Sequence, residues 1–150
     1  MKSESLVDVY ESMFSIVGDF TTHRIMFAAG ERIGRTMVKN RTINDPRILM
    51  DVLKDHMEKE GLGDISYESV LPRYDPASNY PVEMKVKIYN SPLTELKSKG
   101  IPQCSFIRGI LRGAYCEFKD WRDVSVTEVK CVAVESDYCE FEIKKGPGNY

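Results

Sequence analysis

The sequence predicts an α+β domain in which helices pack on a mostly antiparallel sheet of about four strands. Two observations carry this prediction. Apolar residues recur with helical spacing over the first 60 or so positions, and alternation of apolar and polar residues follows. A further helical segment separates the two predicted strand pairs, an order typical of α+β folds. The length of 150 residues suits one domain, which we assign to 1–150.

Boundary signals divide the chain into these elements. Asp45 is a good N-cap and Pro46 suits the first position of a helix, so one helix begins there and ends before Gly61. Val82 to Ile88 alternate with charged residues, as expected of a half-buried strand. The predicted helices cover about 5–17, 21–39, 45–60 and 103–117, and the predicted strands cover 65–71, 82–88, 124–134 and 138–143.

Two pairs of glycines lie inside predicted helices. Gly30 and Gly34 are four residues apart, as are Gly109 and Gly113, so each pair shares one helix face. Each glycine costs a helix interior about 1 kcal/mol relative to alanine. The pairs therefore indicate a close approach of another backbone or of a ligand.

Charge and hydropathy exclude several classes of function. The chain has 21 basic and 23 acidic residues and a net charge of −2, which argues against a nucleic-acid partner. Its apolar runs are far shorter than the ~20 residues of a membrane span. The N-terminal segment lacks the apolar core of a secretory signal. We therefore expect a cytoplasmic location, where thiols stay reduced and clustered cysteines favour metal or redox chemistry.

The four cysteines form the most informative pattern. Cys131 and Cys139 lie symmetrically about a predicted turn, so a regular hairpin would place them opposite each other. This spacing suits two thiolates on one zinc ion, a disulfide, or two small buried apolar side chains. Cys104, at the start of the last helix, is a further candidate ligand. Glu128 lies three residues before Cys131, so a shared metal requires a β-bulge between them.

The segment 104–142 resembles the 4-vinyl-reductase-like domain family. The resemblance rests on Cys104 with the Gly109/Gly113 helix, on Glu128-Val129-Lys130-Cys131, and on Ser136-Asp137-Tyr138-Cys139-Glu140-Phe141. It implies a hydrocarbon-binding or small-molecule-binding domain, related to the sensor domains of phenol- and xylene-responsive regulators. It also implies a fold like that of TRAPP-type vesicle-tethering subunits.

The resemblance also implies a metal site. In the aromatic-sensing members a structural zinc is held by a Cys, a Glu and two further Cys. These ligands correspond here to Cys104, Glu128, Cys131 and Cys139. Four protein ligands leave no open position for a reactive water, so the zinc is expected to be structural. Cys116 has no counterpart among these ligands.

The ligand pocket is expected to be apolar. The sensor members hold a phenolic hydroxyl with a His and a Trp, and Tyr89 lies near the position of that Trp. Trp121 is a second candidate lining residue, and Phe106 and Ile110 supply apolar side chains from the last helix. The sequence does not reproduce the phenol pocket, so the ligand remains an apolar small molecule of unspecified kind.

We interpret the chain as a sensor or carrier domain that binds a hydrocarbon, aromatic or lipid-like molecule. One alternative is an accessory protein or enzyme of tetrapyrrole vinyl reduction. It is the weaker interpretation, because the sequence has no nucleotide-binding fingerprint and shows no catalytic pair. Another is a homodimeric tethering module that associates through its first helix and the Gly30/Gly34 face.

Overall fold

The structure, a computed structural model, describes residues 3–43, 45–68, 83–92, 104–119, 124–131 and 138–145. The helices and strands appear in the predicted order. They are α1 (Ser3–Val17), α2 (Asp19–Lys39), α3 (Pro46–Lys59), β1 (Asp64–Glu68), β2 (Glu83–Tyr89), α4 (Ser105–Lys119), β3 (Val124–Lys130) and β4 (Cys139–Lys145). The predicted turn between the last two strands lies outside the described residues, as do the distal ends of the predicted strands 65–71 and 124–134.

The four strands form one antiparallel sheet in the order β1-β2-β4-β3. Alternate residues of β2 and β4 point to the helices and are buried, whereas Lys85 and Lys87 lie on the opposite face. The inward-facing residues are Met84, Val86 and Ile88 on β2 and Cys139, Phe141 and Ile143 on β4. The α+β class predicted from the sequence is confirmed.

Helix α4 lies in the interior of the domain. Its apolar residues from Phe106 to Phe118 are mostly buried, because the helix packs along α2 and also contacts β3. The start of α4 therefore reaches the core, and Cys104 immediately before it is fully buried.

The two glycine pairs join α2 to α4. A Cβ atom added to Gly34 would lie 2.1 Å from the carbonyl oxygen of Ile110, and one on Gly109 would lie 2.2 Å from that of Phe27. Gly30 and Gly113 are equally close to the facing backbone. The expected close backbone approach is present, but within the chain. The expectation that the Gly30/Gly34 face forms a homodimer interface is therefore wrong, since α4 already covers it.

Local signals fix the ends of two helices. The Asp45 side chain accepts a hydrogen bond from the backbone N–H of Arg47 at 2.8 Å, as expected for the N-cap of α3. Between α1 and α2, Gly18 has φ of +81°, a conformation that glycine adopts easily. Helix α2 therefore begins at Asp19, ahead of the Thr21 or Thr22 expected from the sequence.

Candidate metal centre and ligand cavities

A β-bulge in β3 brings Glu128 and Cys131 to the same side of the sheet. Glu128 pairs with Phe141 and Lys130 pairs with Glu140, so the register shifts by one residue between them. Val129 is the extra residue and is exposed. The bulge removes the alternation problem posed by the three-residue spacing, as the sequence required for a shared metal.

Three buried thiols meet beneath this bulge. The Cys104 sulfur lies 3.0 Å from that of Cys139 and 3.7 Å from that of Cys131, and the last two sulfurs are 4.0 Å apart. Three ligands on one tetrahedral zinc, at Zn–S distances near 2.3 Å, have sulfurs roughly 3.8 Å apart. The three thiols are therefore close enough to bind one metal ion.

Glu128 lies at the edge of the thiol cluster. Burial, followed by the charge and thiol of Cys131, raises the pKa of its carboxyl group to about 9. Its Oε1 is buried and has no hydrogen-bond partner in the described part of the chain. Hydrogen bonding to the other two thiols, and then burial, raise the pKa of Cys104. Acidic groups crowded in this way favour a cation among them, because a cation stabilises their ionised forms.

A chain of hydrogen bonds runs beside the cluster. The Phe106 backbone N–H donates to the Tyr10 hydroxyl at 2.9 Å, which lies 2.9 Å from the Ser105 hydroxyl. Ser105 Oγ in turn lies 2.8 Å from His23 Nδ1. This chain ties α1 and α2 to the start of α4. The sequence analysis missed it, because the bonded side chains are 82 and 95 residues apart.

An apolar cavity of about 240 Å³ opens between α2, α3 and α4. Its wall combines three apolar side chains with one imidazole and one carboxylate. The lining residues are Ile33, His56, Glu60, Leu62 and Phe106. Burial lowers the pKa of His56 despite the raising effect of Glu60, so this imidazole is neutral at pH 7. The cavity can hold an apolar molecule and offers two polar groups to orient it.

Comparison with known proteins supplies the family. Residues 84–145 match the model of the 4-vinyl-reductase domain, and this segment contains all four candidate metal ligands. The chain contains a 4-vinyl-reductase domain. The match confirms the family resemblance predicted from the sequence. No curated protein matches the chain in sequence.

Solved structures share the fold of this 4-vinyl-reductase domain protein. A vinyl-4-reductase family protein from Methanocaldococcus jannaschii is 25% identical, with a TM-score of 0.60 over 94% of this chain and 76% of that one. The phenol-responsive sensory domain of the transcription activator PoxR, solved with phenol, is 15% identical, with a TM-score of 0.70 over 97% and 75%. A trafficking protein particle complex subunit 3 from Naegleria fowleri, covalently bound to palmitic acid, is 15% identical, with a TM-score of 0.58 over 99% and 97%. The TRAPP-like fold is thus confirmed.

The structure of the 4-vinyl-reductase domain separates the predicted ligand-binding residues. Phe106 lines the apolar cavity, whereas Ile110 is buried where α4 meets the Gly30 and Gly34 backbone. Tyr89 is 39% exposed, and its ring lies 5.3 Å from that of Tyr138. Trp121 lies outside the described residues. None of the helices that the structure describes has the length and hydropathy of a membrane span.

Proposed function

We propose that this 4-vinyl-reductase domain binds an apolar small molecule and is stabilised by a structural zinc ion held by Cys104, Cys131, Cys139 and Glu128. The observation that supports the zinc site most directly is the meeting of three buried thiols from three different parts of the fold. Thiolates are the ligands that structural zinc prefers. Free buried thiols also suit the reducing cytoplasm, where we place the protein.

The proposed zinc ion would connect the start of α4 to the paired ends of β3 and β4. Three thiolates and one carboxylate fill a tetrahedral sphere, so no position remains for a reactive water. A site of this kind supplies stability and rigidity to the fold. Ligand binding is therefore assigned to the cavity and not to the metal.

Elemental analysis of the purified protein tests the zinc site. We expect one zinc per chain, and we expect Cys131→Ser to lose most of the metal and to lower the melting temperature. Cys116→Ser is the matched control, because Cys116 is a half-buried cysteine on α4 outside the thiol cluster. A wild-type protein without stoichiometric zinc, or equal metal content in both variants, contradicts the proposal.

The apolar cavity is the proposed ligand site. Ile33, Leu62 and Phe106 would enclose an apolar body, and His56 with Glu60 would hold a polar end. The printed descriptions of two structural neighbours name phenol and palmitic acid, so small aromatic and lipid-like molecules are the classes to test first. A sensor or carrier role follows if such a ligand binds. A role in tetrapyrrole vinyl reduction stays a prediction.

Native mass spectrometry of protein from its own source reports a bound ligand by its mass. The location is tested by Ile33→Trp, which places a large ring at the cavity wall, with Ile25→Trp as control on the exposed side of the same helix. We expect the first variant to lose the ligand and the second to retain it. Retention by both variants would remove the cavity as the binding site.

A homodimer remains a second proposal, moved to a new surface. Ile16 at the end of α1 is 77% exposed and Phe20 at the start of α2 is 76% exposed, and Val17 between them is also exposed. Large apolar side chains exposed together are typical of an interaction surface. Analytical ultracentrifugation should show a dimer that Phe20→Glu converts to monomer. A wild-type monomer at micromolar concentration rules the dimer out.

A further inference from the structure

A second cleft, of about 330 Å³, lies between α2, α4 and β3. We call it the His23 cleft. Its lining is polar, and it shares no described lining residue with the apolar cavity. The lining residues are His23, Ser105, Arg108, Val126, Thr127 and Glu128.

Two unsatisfied polar atoms belong to this one cleft. Over the described part of the chain, the buried side-chain nitrogen and oxygen atoms without a hydrogen-bond partner are His23 Nε2 and Glu128 Oε1. Both residues line the His23 cleft. Buried polar groups are nearly always paired, and an unpaired one is costly. Two such atoms on one cleft indicate a group that binds both.

The hydrogen-bond chain fixes His23 Nε2 as a donor. The Tyr10 oxygen already accepts from the Phe106 N–H, so its own proton points to Ser105 Oγ. The Ser105 proton is then left for His23 Nδ1, which acts as the acceptor. Burial lowers the pKa of His23, so the ring is neutral and carries its one proton on Nε2.

The opposite side of the cleft presents an acceptor. A carboxylate that gives one oxygen to a metal keeps its second oxygen for a further hydrogen bond. Glu128 Oε1 is available in this way, and also if no metal is present. Arg108 adds further donors to the lining, and its guanidinium carbon lies 4.3 Å from the Phe27 ring centroid.

We propose that the His23 cleft binds a small neutral molecule through a group that both accepts and donates a hydrogen bond, such as a primary carboxamide or a hydroxyl. The group accepts from His23 Nε2–H and donates to Glu128 Oε1, and Val126 contacts its apolar part. This is a binding site beyond the proposed apolar cavity.

Anions fit this cleft less well. A carboxylate ligand satisfies His23 and Arg108 but places its charge against Glu128 and the neighbouring thiols. It also has no proton to give to Glu128 Oε1. A ketone satisfies His23 but leaves the Glu128 oxygen unpaired. The cleft should therefore rank ligands by donor-acceptor character and not by positive charge on the protein alone.

Three probes of similar shape test this ranking on the wild-type protein by NMR titration. Isobutyramide donates and accepts, 3-methyl-2-butanone only accepts, and isobutyrate accepts and is charged. We expect isobutyramide to bind at least about tenfold more tightly than either of the others, as one added hydrogen bond in a desolvated site allows. Tightest binding of isobutyrate, or no binding of isobutyramide near its solubility limit, would overturn the proposal.

His23→Phe tests the location. Phenylalanine keeps the ring contacts with Tyr10 and Phe14 but has no donor. We expect about a tenfold loss of isobutyramide affinity and the disappearance of its advantage over the ketone. Thr36→Ala, on the exposed side of α2, should change neither. Unchanged ranking in a folded His23→Phe protein would contradict the proposed site. Loss of the apolar ligand in Ile33→Trp with retained isobutyramide binding would show that the two sites fail independently.

Discussion

Tyr10 is the residue that attaches α1 to the buried start of α4. Its side chain is fully buried, and its hydroxyl bonds both the Phe106 N–H and the Ser105 side chain. Replacing Tyr10 by phenylalanine leaves these two groups unpaired in the core. We expect a loss of about 1–3 kcal/mol in unfolding free energy, measured by urea denaturation.

Tyr89→Phe is the matched control for this prediction. Tyr89 is 39% exposed, so water replaces any hydrogen bond that its hydroxyl loses. Its unfolding free energy should stay within about 0.5 kcal/mol of wild type. Equal losses in the two variants would mean that the Tyr10 hydroxyl is not part of a buried network.

His56 makes the stability depend on pH in a defined direction. Burial lowers its pKa below the ordinary value of 6.5, although Glu60 and Asp55 act to raise it. The unfolded chain therefore takes up a proton at His56 before the folded protein does. The stability that neutral His56 permits is fully present above about pH 6.5 and falls as the pH drops towards its folded pKa.

His56→Gln removes this titration while keeping a polar side chain of similar size. We expect the loss of unfolding free energy between pH 7 and pH 5 to be smaller in the variant than in wild type. Thermal unfolding at a series of pH values measures the difference. Parallel curves over that range would show that His56 does not contribute.

At the scale of elements, the packing of α2 on α4 depends on the absence of side chains at four positions. Gly34→Ala would place a Cβ atom 2.1 Å from the Ile110 carbonyl oxygen, so the helices must separate. Alanine in a free helix would add about 1 kcal/mol of stability. Here we expect the sign to reverse, with a loss of about 2–4 kcal/mol from disturbed core packing.

Ala29→Gly provides the reciprocal comparison on the same helix. Ala29 is exposed, so its replacement should cost only the helix propensity difference of about 1 kcal/mol. Circular dichroism during chemical denaturation compares the two variants. A stabilised Gly34→Ala protein would show that the two helices are not in backbone contact.

The sequence predicted those elements whose signals are local. Asp45 with Pro46 located the start of α3, and the alternation around Met84 located β2. The bulge at Val129 was predicted only as a condition for a shared metal, because alternation alone separates Glu128 from Cys131. The partner of the glycine face was not predictable, since helix spacing shows that a backbone comes close but not which one.

Features of the whole molecule were predicted less completely. Cys104, Cys131 and Cys139 could be grouped because a family resemblance joined distant segments. No such pattern joined Tyr10, Ser105 and His23, whose contacts exist only after α1, α2 and α4 have packed. Cavity walls have the same origin, so Phe106 could be proposed as a lining residue while His56 was assigned no binding role.

Zinc removal tests how the proposed site supports the whole molecule. Its ligands come from the start of α4 and from the ends of β3 and β4 that lie beside each other, whereas α3 and β1 supply none. Without the cation the buried thiols and Glu128 take up protons, and only weak thiol contacts hold these segments together. We expect chelation to lower the melting temperature and to reduce amide-exchange protection at Phe106 and Phe141 more than at Leu53 in α3. Zinc, but not magnesium, should restore both, because magnesium prefers oxygen ligands. A uniform loss of protection would indicate global unfolding and not a local clamp, and no change on complete zinc removal would remove the structural role of the metal.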